Sequence, residues 1–301
     1  MNILERRWRI ALGAVLLAIL AGSLYWYRPG ATAAAMLRCL PPGDGAVLYV
    51  DLSLLRKTGL LEQIAGQPGA EEPEYKRFVE ASGFDYRRDL DAAMVELRPG
   101  TAFMVLKGRF DRARLAEYAR SNGGECAGEF CSLPGSRPER RISFQPIPGR
   151  LLALAAGSDP MGAASIRENA SAPPFEPPPS PIWVYLPGPA LHSQPELPPG
   201  LSAFVEALDG AQRAVLTVEM SAIGFEVVLA APCASVDQAR TIAERLSGAT
   251  ATLQTLIARS GKPPEPASPA AVLSAGRFSA DQTIVRGQWP LSKAFFAGLA
   301  K

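Results

Sequence analysis

The longest apolar run in the chain comes first. Residues 10–27 carry no charge, are entered through Arg6, Arg7 and Arg9, and are closed by Arg28. As a helix rising about 1.5 Å per residue, the run reaches roughly 27 Å, close to the hydrocarbon core of a bilayer. Trp8 stands at one edge and Tyr25, Trp26 and Tyr27 at the other, where amphipathic rings favour the headgroup level. The pattern predicts a transmembrane helix over 10–27, with residues 1–9 in the cytoplasm by the positive-inside rule and a linker over 28–40 leading to the bulk outside. The competing reading is a cleavable signal peptide ending at Ala31, Thr32 and Ala33, which would leave a secreted chain. The length of the run and the aromatic triplet favour the anchor. Ser23 follows Leu20-Ala21-Gly22 where a lipoprotein needs a cysteine.

Beyond residue 40 the pattern turns to short alternating runs and helical stripes. Residues 46–51 read as a strand entered through Gly43-Asp44-Gly45, followed by a helix over 54–64 interrupted at Gly59. Pro73 suits the first turn of a helix ending at Gly83. Residues 92–97 and 101–108 form a hairpin around Arg98-Pro99-Gly100, and Asp111 caps a helix stopped by Asn122-Gly123. Strands follow near 128–133, 141–145 and 151–156, and Asp159-Pro160 opens a helix to about Asn169.

Residues 172–181, APPFEPPPSP, admit neither helix nor central strand and read as an extended spacer. After it come a strand at 182–186, a helix at 201–208, and a hairpin of 214–219 with 225–231. Ser235 and Gln238 form a capping box before the longest soluble helix, whose stripe is Val236, Ala239, Ile242, Leu246, Leu253 and Ile257, with Gly248 a bend or an end. A strand pair at 271–278 and 283–289 and a helix at 291–299 close the chain. The expected fold class is therefore α+β: an anchor, then two divergent copies of one α+β unit, 41–171 and 182–301, with mainly antiparallel sheets.

Composition supports a folded bulk, with 48% hydrophobic and 20% charged residues. Residues 1–30 hold four arginines against Glu5, so the net charge of +2 leaves the remainder near −1. A near-neutral ectodomain without a basic run excludes nucleic acid as a partner. Arginine in excess of lysine, with abundant Ala, Gly and Pro, points to a GC-rich bacterial source.

Three phrases carry a resemblance: Pro41-Pro42-Gly43-Asp44-Gly45-Ala46-Val47, Ser82-Gly83-Phe84-Asp85 with Arg88-Asp89-Leu90-Asp91, and Gly108-Arg109-Phe110-Asp111. Over residues 41–170 the chain resembles uncharacterised, membrane-anchored bacterial ectodomain proteins without assigned activity. The resemblance implies a periplasmic α+β protein and supplies no catalytic residues.

Motifs for chemistry are sparse. The chain has one histidine, His192, expected in a solvated loop, so neither a metal site nor a serine triad has support. No nucleophile elbow, phosphate loop or dinucleotide turn occurs, and no cofactor is expected. The acids Asp85, Asp89 and Asp91 alternate with Arg87 and Arg88, the pattern of a solvated charged face; a paired-carboxylate site is the alternative. In an exported chain Cys126 and Cys131 can pair if Ala127-Gly128 turns the chain between them, since residues five apart in a straight strand face opposite ways; buried free thiols are the other reading. The sequence thus predicts a single-pass, inner-membrane protein with its bulk in the periplasm, acting as a non-enzymatic binding or envelope-associated module. Its partners would be the bilayer and either an envelope protein or a small apolar ligand. The alternative is a periplasmic hydrolase using Asp85, Asp89, Asp91 or His192.

Overall fold

A computed structural model of the chain describes residues 32–65, 73–137, 139–170, 172–192, 201–221, 224–266, 268–292 and 295. The anchor residues Arg6, Arg7, Trp8, Arg9, Tyr25, Trp26 and Tyr27 lie outside them, as does most of the expected last helix. Among the described residues no helix is long and apolar enough to cross a membrane.

Thr32 caps α1 (Ala33–Cys39), and five apolar residues, alternately buried and half-buried, build β1 (Ala46–Val50). Asp51 ends the strand and caps α2 (Leu52–Lys57), its carboxylate accepting from the Leu54 N–H. The expected break at Gly59 is present: its φ of +72° favours glycine, and α3 (Leu60–Ala65) starts just beyond it. Helices α4 (Pro73–Ser82) and α5 (Tyr86–Asp89) then lead into β2 (Leu90–Arg98), which turns through Gly100 into β3 (Thr101–Gly108). Asp111 caps α6 (Arg112–Ser121). Four strands follow: β4 (Glu125–Ala127), β5 (Phe130–Pro134), β6 (Arg141–Ile147) and β7 (Leu151–Gly157). The second half supplies β8 (Ile182–Pro187), α7 (Gly188–His192), α8 (Leu201–Ala207), β9 (Arg213–Ser221) and β10 (Gly224–Pro232). It ends with α9 (Val236–Ser260), α10 (Pro269–Leu273), β11 (Arg277–Asp281) and β12 (Ile284–Leu291).

These strands form one antiparallel 12-stranded sheet in the order β11-β12-β10-β9-β8-β1-β2-β3-β7-β6-β5-β4. Outward from the β1–β8 pair, one half runs β1-β2-β3-β7-β6-β5-β4 and the other β8-β9-β10-β12-β11; the first five positions follow the same order, and β5 and β4 have no counterpart. Alternation along the strands sorts the core into two faces. Trp183, Tyr185, Tyr49, Met94 and Val105 point to one face, covered by α1 and by Ile166. The opposite face carries α6 over Leu152 and Leu154, α2 over Val50 and Ile182, and α8 with α9 over Leu229, Val285 and Trp289.

Three expectations need correction. The helix expected after Asp159-Pro160 is only a 3-10 turn, Gly162–Ser165, because Ser143 Oγ draws the Ala163 N–H to the sheet at 3.0 Å. Residues 271–273 are helical, not strand, since Ser268 caps α10 with Pro269 in its first turn. Gly248 neither bends nor ends α9, which runs 25 residues; a Cβ there would meet open space. Residues 172–181 form neither helix nor strand and are held against the sheet: Phe175 stacks on Tyr185 at 4.1 Å and meets Trp183 edge-on at 5.3 Å.

That packing generates a prediction. The stretch 172–181 should resist limited proteolysis in the native chain. Phe175→Ala should open it to cleavage and lower unfolding stability by about 2 kcal/mol, less than the ~3–5 kcal/mol of a fully buried ring because Phe175 is half-buried. Chemical denaturation followed by Trp fluorescence measures the second effect; an unchanged midpoint would show that the ring does not pin the stretch.

Candidate functional site

Antiparallel register brings the end of β1, the start of β2, the end of β3, the start of β8 and the β9–β10 turn to one end of the sheet. The expected acids gather there, but not as a solvated face. Asp89, the last residue of α5, is 7% exposed. Its Oδ2 accepts from Arg88 Nη2 at 2.7 Å and from the Asp85 N–H at 3.1 Å, and its Oδ1 accepts from Arg109 Nη2 at 3.1 Å. Hydrogen bonding from Arg88 holds its carboxyl down at about 2 against the opposing pull of burial, with the Asp85 N–H and Arg109 adding to the effect. A carboxylate so supplied with donors stays ionised and is a poor proton shuttle.

Asp85 and Asp91 have separate tasks. Asp85 caps α5 through the Arg87 N–H at 2.9 Å and accepts from the Tyr75 hydroxyl at 3.1 Å. Asp91 lies between Arg56 at 3.9 Å and Arg150 at 3.8 Å. Arg56 also donates to the Arg87 and Leu90 carbonyls, both at 2.6 Å, tying α2 to the start of β2. The three acids are thus neighbours in an arginine network and do not converge on one open space. His192 is not in a loop but ends α7, which packs on β8 and β9 in the other half. Among the described residues no group of three or more His, Cys, Asp or Glu side chains is placed to hold a metal ion.

Cys126 and Cys131 face each other across the β4–β5 hairpin and are joined in a disulfide, with Cα atoms 4.1 Å apart. Gly128, at φ +60°, supplies the turn. Cys39 and Cys233 are buried free thiols, pushed up from the ordinary thiol value mainly by burial.

A feature that sequence reasoning missed lies at the β1–β8 seam. A half-open cavity of about 450 Å³ is bounded by α2, the start of α3, the Pro-rich stretch and the β9–β10 hairpin. Leu54, Leu55, Leu60, Ile182, Val218 and Phe225 give it an apolar lining. Its polar groups already have partners within the chain. Thr58 Oγ1 donates to α2 carbonyls, Ser180 Oγ lies 2.8 Å from the Ile182 and Val218 carbonyl oxygens, and Glu219 Oε1 accepts from Thr217 at 2.8 Å. The Pro-rich stretch was the available signal; its role as a wall depends on which strands it joins.

No family model matches the chain, and no curated protein matches its sequence. Among solved structures, crystal form I of TP0453 aligns with a TM-score of 0.46 and 11% identity, over 89% of this chain and 97% of that one. Crystal form IV gives 0.47 and 11%, over 89% and 98%. Crystal form III gives 0.44 and 14%, over 87% and 96%.

The Asp89 network yields a pH prediction. Its folded value lies below the ordinary 3.8, so its contribution is complete above about pH 4 and is lost as pH falls towards 2. A shift of this size corresponds to about 2 kcal/mol. Asp89→Asn should remove that share at pH 7 and flatten the stability profile between pH 4 and 2, as read by urea denaturation at each pH. An Asn variant as stable as the parent at pH 7 would mean that the arginines find equal partners elsewhere.

Proposed function

We propose that the chain is an exported, non-enzymatic binding module that takes a small, uncharged apolar ligand in the cavity at the β1–β8 seam. The observation that carries the reading is the cavity's lining. Its walls are Leu, Ile, Val, Phe and Pro side chains, and its hydroxyls are committed to backbone carbonyls. A volume of about 450 Å³ suits a small organic molecule. Glu219 on the lining stands in register with Glu226, which disfavours an anionic ligand. The same reading takes the N-terminal run as an inner-membrane anchor and the two halves as divergent copies of one unit; their common strand order supports the second point.

A hydrolase built on Asp85, Asp89, Asp91 or His192 has weaker support. Asp89 is saturated with donors, Asp85 caps a helix, and His192 ends an element of the other half.

A neutral, environment-sensitive dye such as N-phenyl-1-naphthylamine tests the cavity. It should bind the full chain saturably with enhanced fluorescence. Leu54→Asp and Val218→Asp should each weaken binding about tenfold, the worth of one apolar side-chain contact. Leu54 is partly exposed, so its variant should keep the fold. Saturable binding that ignores both variants would place the ligand elsewhere. For the anchor, intact mass of protein extracted from native membranes should match the uncleaved chain; loss of the first ~33 residues would establish signal cleavage.

A further inference from the structure

We propose that a second cavity, at the same end of the sheet but in the first half alone, binds a small molecule bearing a phosphate-type oxyanion on an apolar body. The cavity measures about 530 Å³ and lies where α5, the end of β3, the start of α6 and the β6–β7 turn meet. Arg88, Arg109, Arg112 and Arg150 line it against Asp89 and Asp111, an excess of two positive charges.

The four arginines fall into two pairs with complementary roles. Arg88 and Arg109 are held in place: both bind the Asp89 carboxylate, and they donate onward to the Gly83 carbonyl at 3.2 Å and the Arg88 carbonyl at 2.7 Å. One carboxylate cannot neutralise two guanidiniums, so a fixed surplus of charge remains. Arg112 and Arg150 are held loosely. Their partners, Glu129 at 2.8 Å and Asp91 at 3.8 Å, have side chains 64% and 29% exposed, against 10% for Asp89. Pairs of that exposure contribute little, and their guanidiniums can turn to a better acceptor at small cost. Planar guanidinium forks match the oxygens of a phosphate, which near neutral pH carries close to two charges and so answers the surplus better than a carboxylate does.

The remaining lining explains the apolar body. Phe84 stacks on Phe110 at 5.1 Å beside Leu151 and Leu152. Arg112, Pro146 and Leu152 also border an adjoining apolar cavity of about 220 Å³ under α6, walled by Leu115, Ala116 and Phe144. An anionic head among the arginines would leave its body pointing at apolar walls. Gly108 preserves the arrangement, because a Cβ there would collide with the Asp89 carbonyl oxygen and separate β3 from α5.

Calorimetric titration of the full chain with phenyl phosphate tests the site, with inorganic phosphate and benzoate in parallel. Phenyl phosphate should bind to one site, more tightly than either comparison compound, and should weaken as salt is raised. The double variant Arg112→Gln, Arg150→Gln should weaken it about tenfold or more, since charge-assisted bonds are lost while the Asp89 network is untouched. Arg286→Gln, which removes one positive charge at an exposed position on β12 far along the sheet, should leave it unaltered. Soluble dihexanoyl phosphatidic acid as a competitor identifies the source. Displacement below the concentration of phenyl phosphate needed for binding would assign a lipid headgroup, and displacement only above it a water-soluble ester; both outcomes keep the site. Failure of phenyl phosphate to bind, benzoate binding as tightly, or equal loss in Arg286→Gln would overturn the proposal.

Discussion

The antiparallel pairing of β1 with β8 is the contact on which both halves depend. It spans Val47 to Val50 against Tyr185 to Ile182, and it is extended by the Asp51 N–H donating to the Pro181 carbonyl at 2.7 Å. On the covered face it is backed by Tyr49 stacked on Trp183 at 5.4 Å, with the indole wholly buried. The Trp183 Nε1 has no acceptor among the described residues, a cost of about 1 to 3 kcal/mol that the surrounding apolar packing must offset. Because the pairing fixes where β1 ends and β8 begins, it also sets α2 opposite the Pro-rich stretch. The seam cavity is the space between them.

A second constraint acts at the two ends of β2. At its start, Asp89 gathers Arg88 and Arg109; near its end, buried Glu96 takes Arg98 at 2.8 Å and the Gly45 N–H at 3.2 Å. Arg98 also donates to the Pro41 carbonyl at 2.7 Å, and a Cβ on Gly43 would collide with its guanidinium. The short phrases around residues 41–47, 82–91 and 108–111 are therefore the wrappings of two buried carboxylates, Asp89 and Glu96, and of the arginines that pair with them. Loss of the arginines would be costly, since it strands a carboxylate in the interior.

Local signals were read well from sequence, and distant ones were not. Asp111, the Ser235 cap, Gly59 and the two long hairpins each act within a few residues, and each is present, though Gln238 returns its bond to the Ala234 N–H and not to Ser235. Ser268 before Pro269 is an equally local signal, masked by the apolar run that follows it. The burial of Asp89 was hidden because charge alternation looks the same whether a side chain meets water or a second arginine brought from β3, 20 residues on. Both cavities were hidden for the same reason: their walls come from segments far apart in sequence, and only strand pairing makes them neighbours.

The position of β1 has a consequence for how the molecule is made. In the finished sheet β1 lies between β2 and β8, with both of its hydrogen-bonding edges satisfied. A chain synthesised only as far as the Pro-rich stretch has β2 but not β8, so one edge of β1, bearing Val47 and Tyr49, stands open. Unpaired apolar edges recruit other chains. Until the second half arrives, the nascent first half is adhesive, and completing the sheet is what makes it inert.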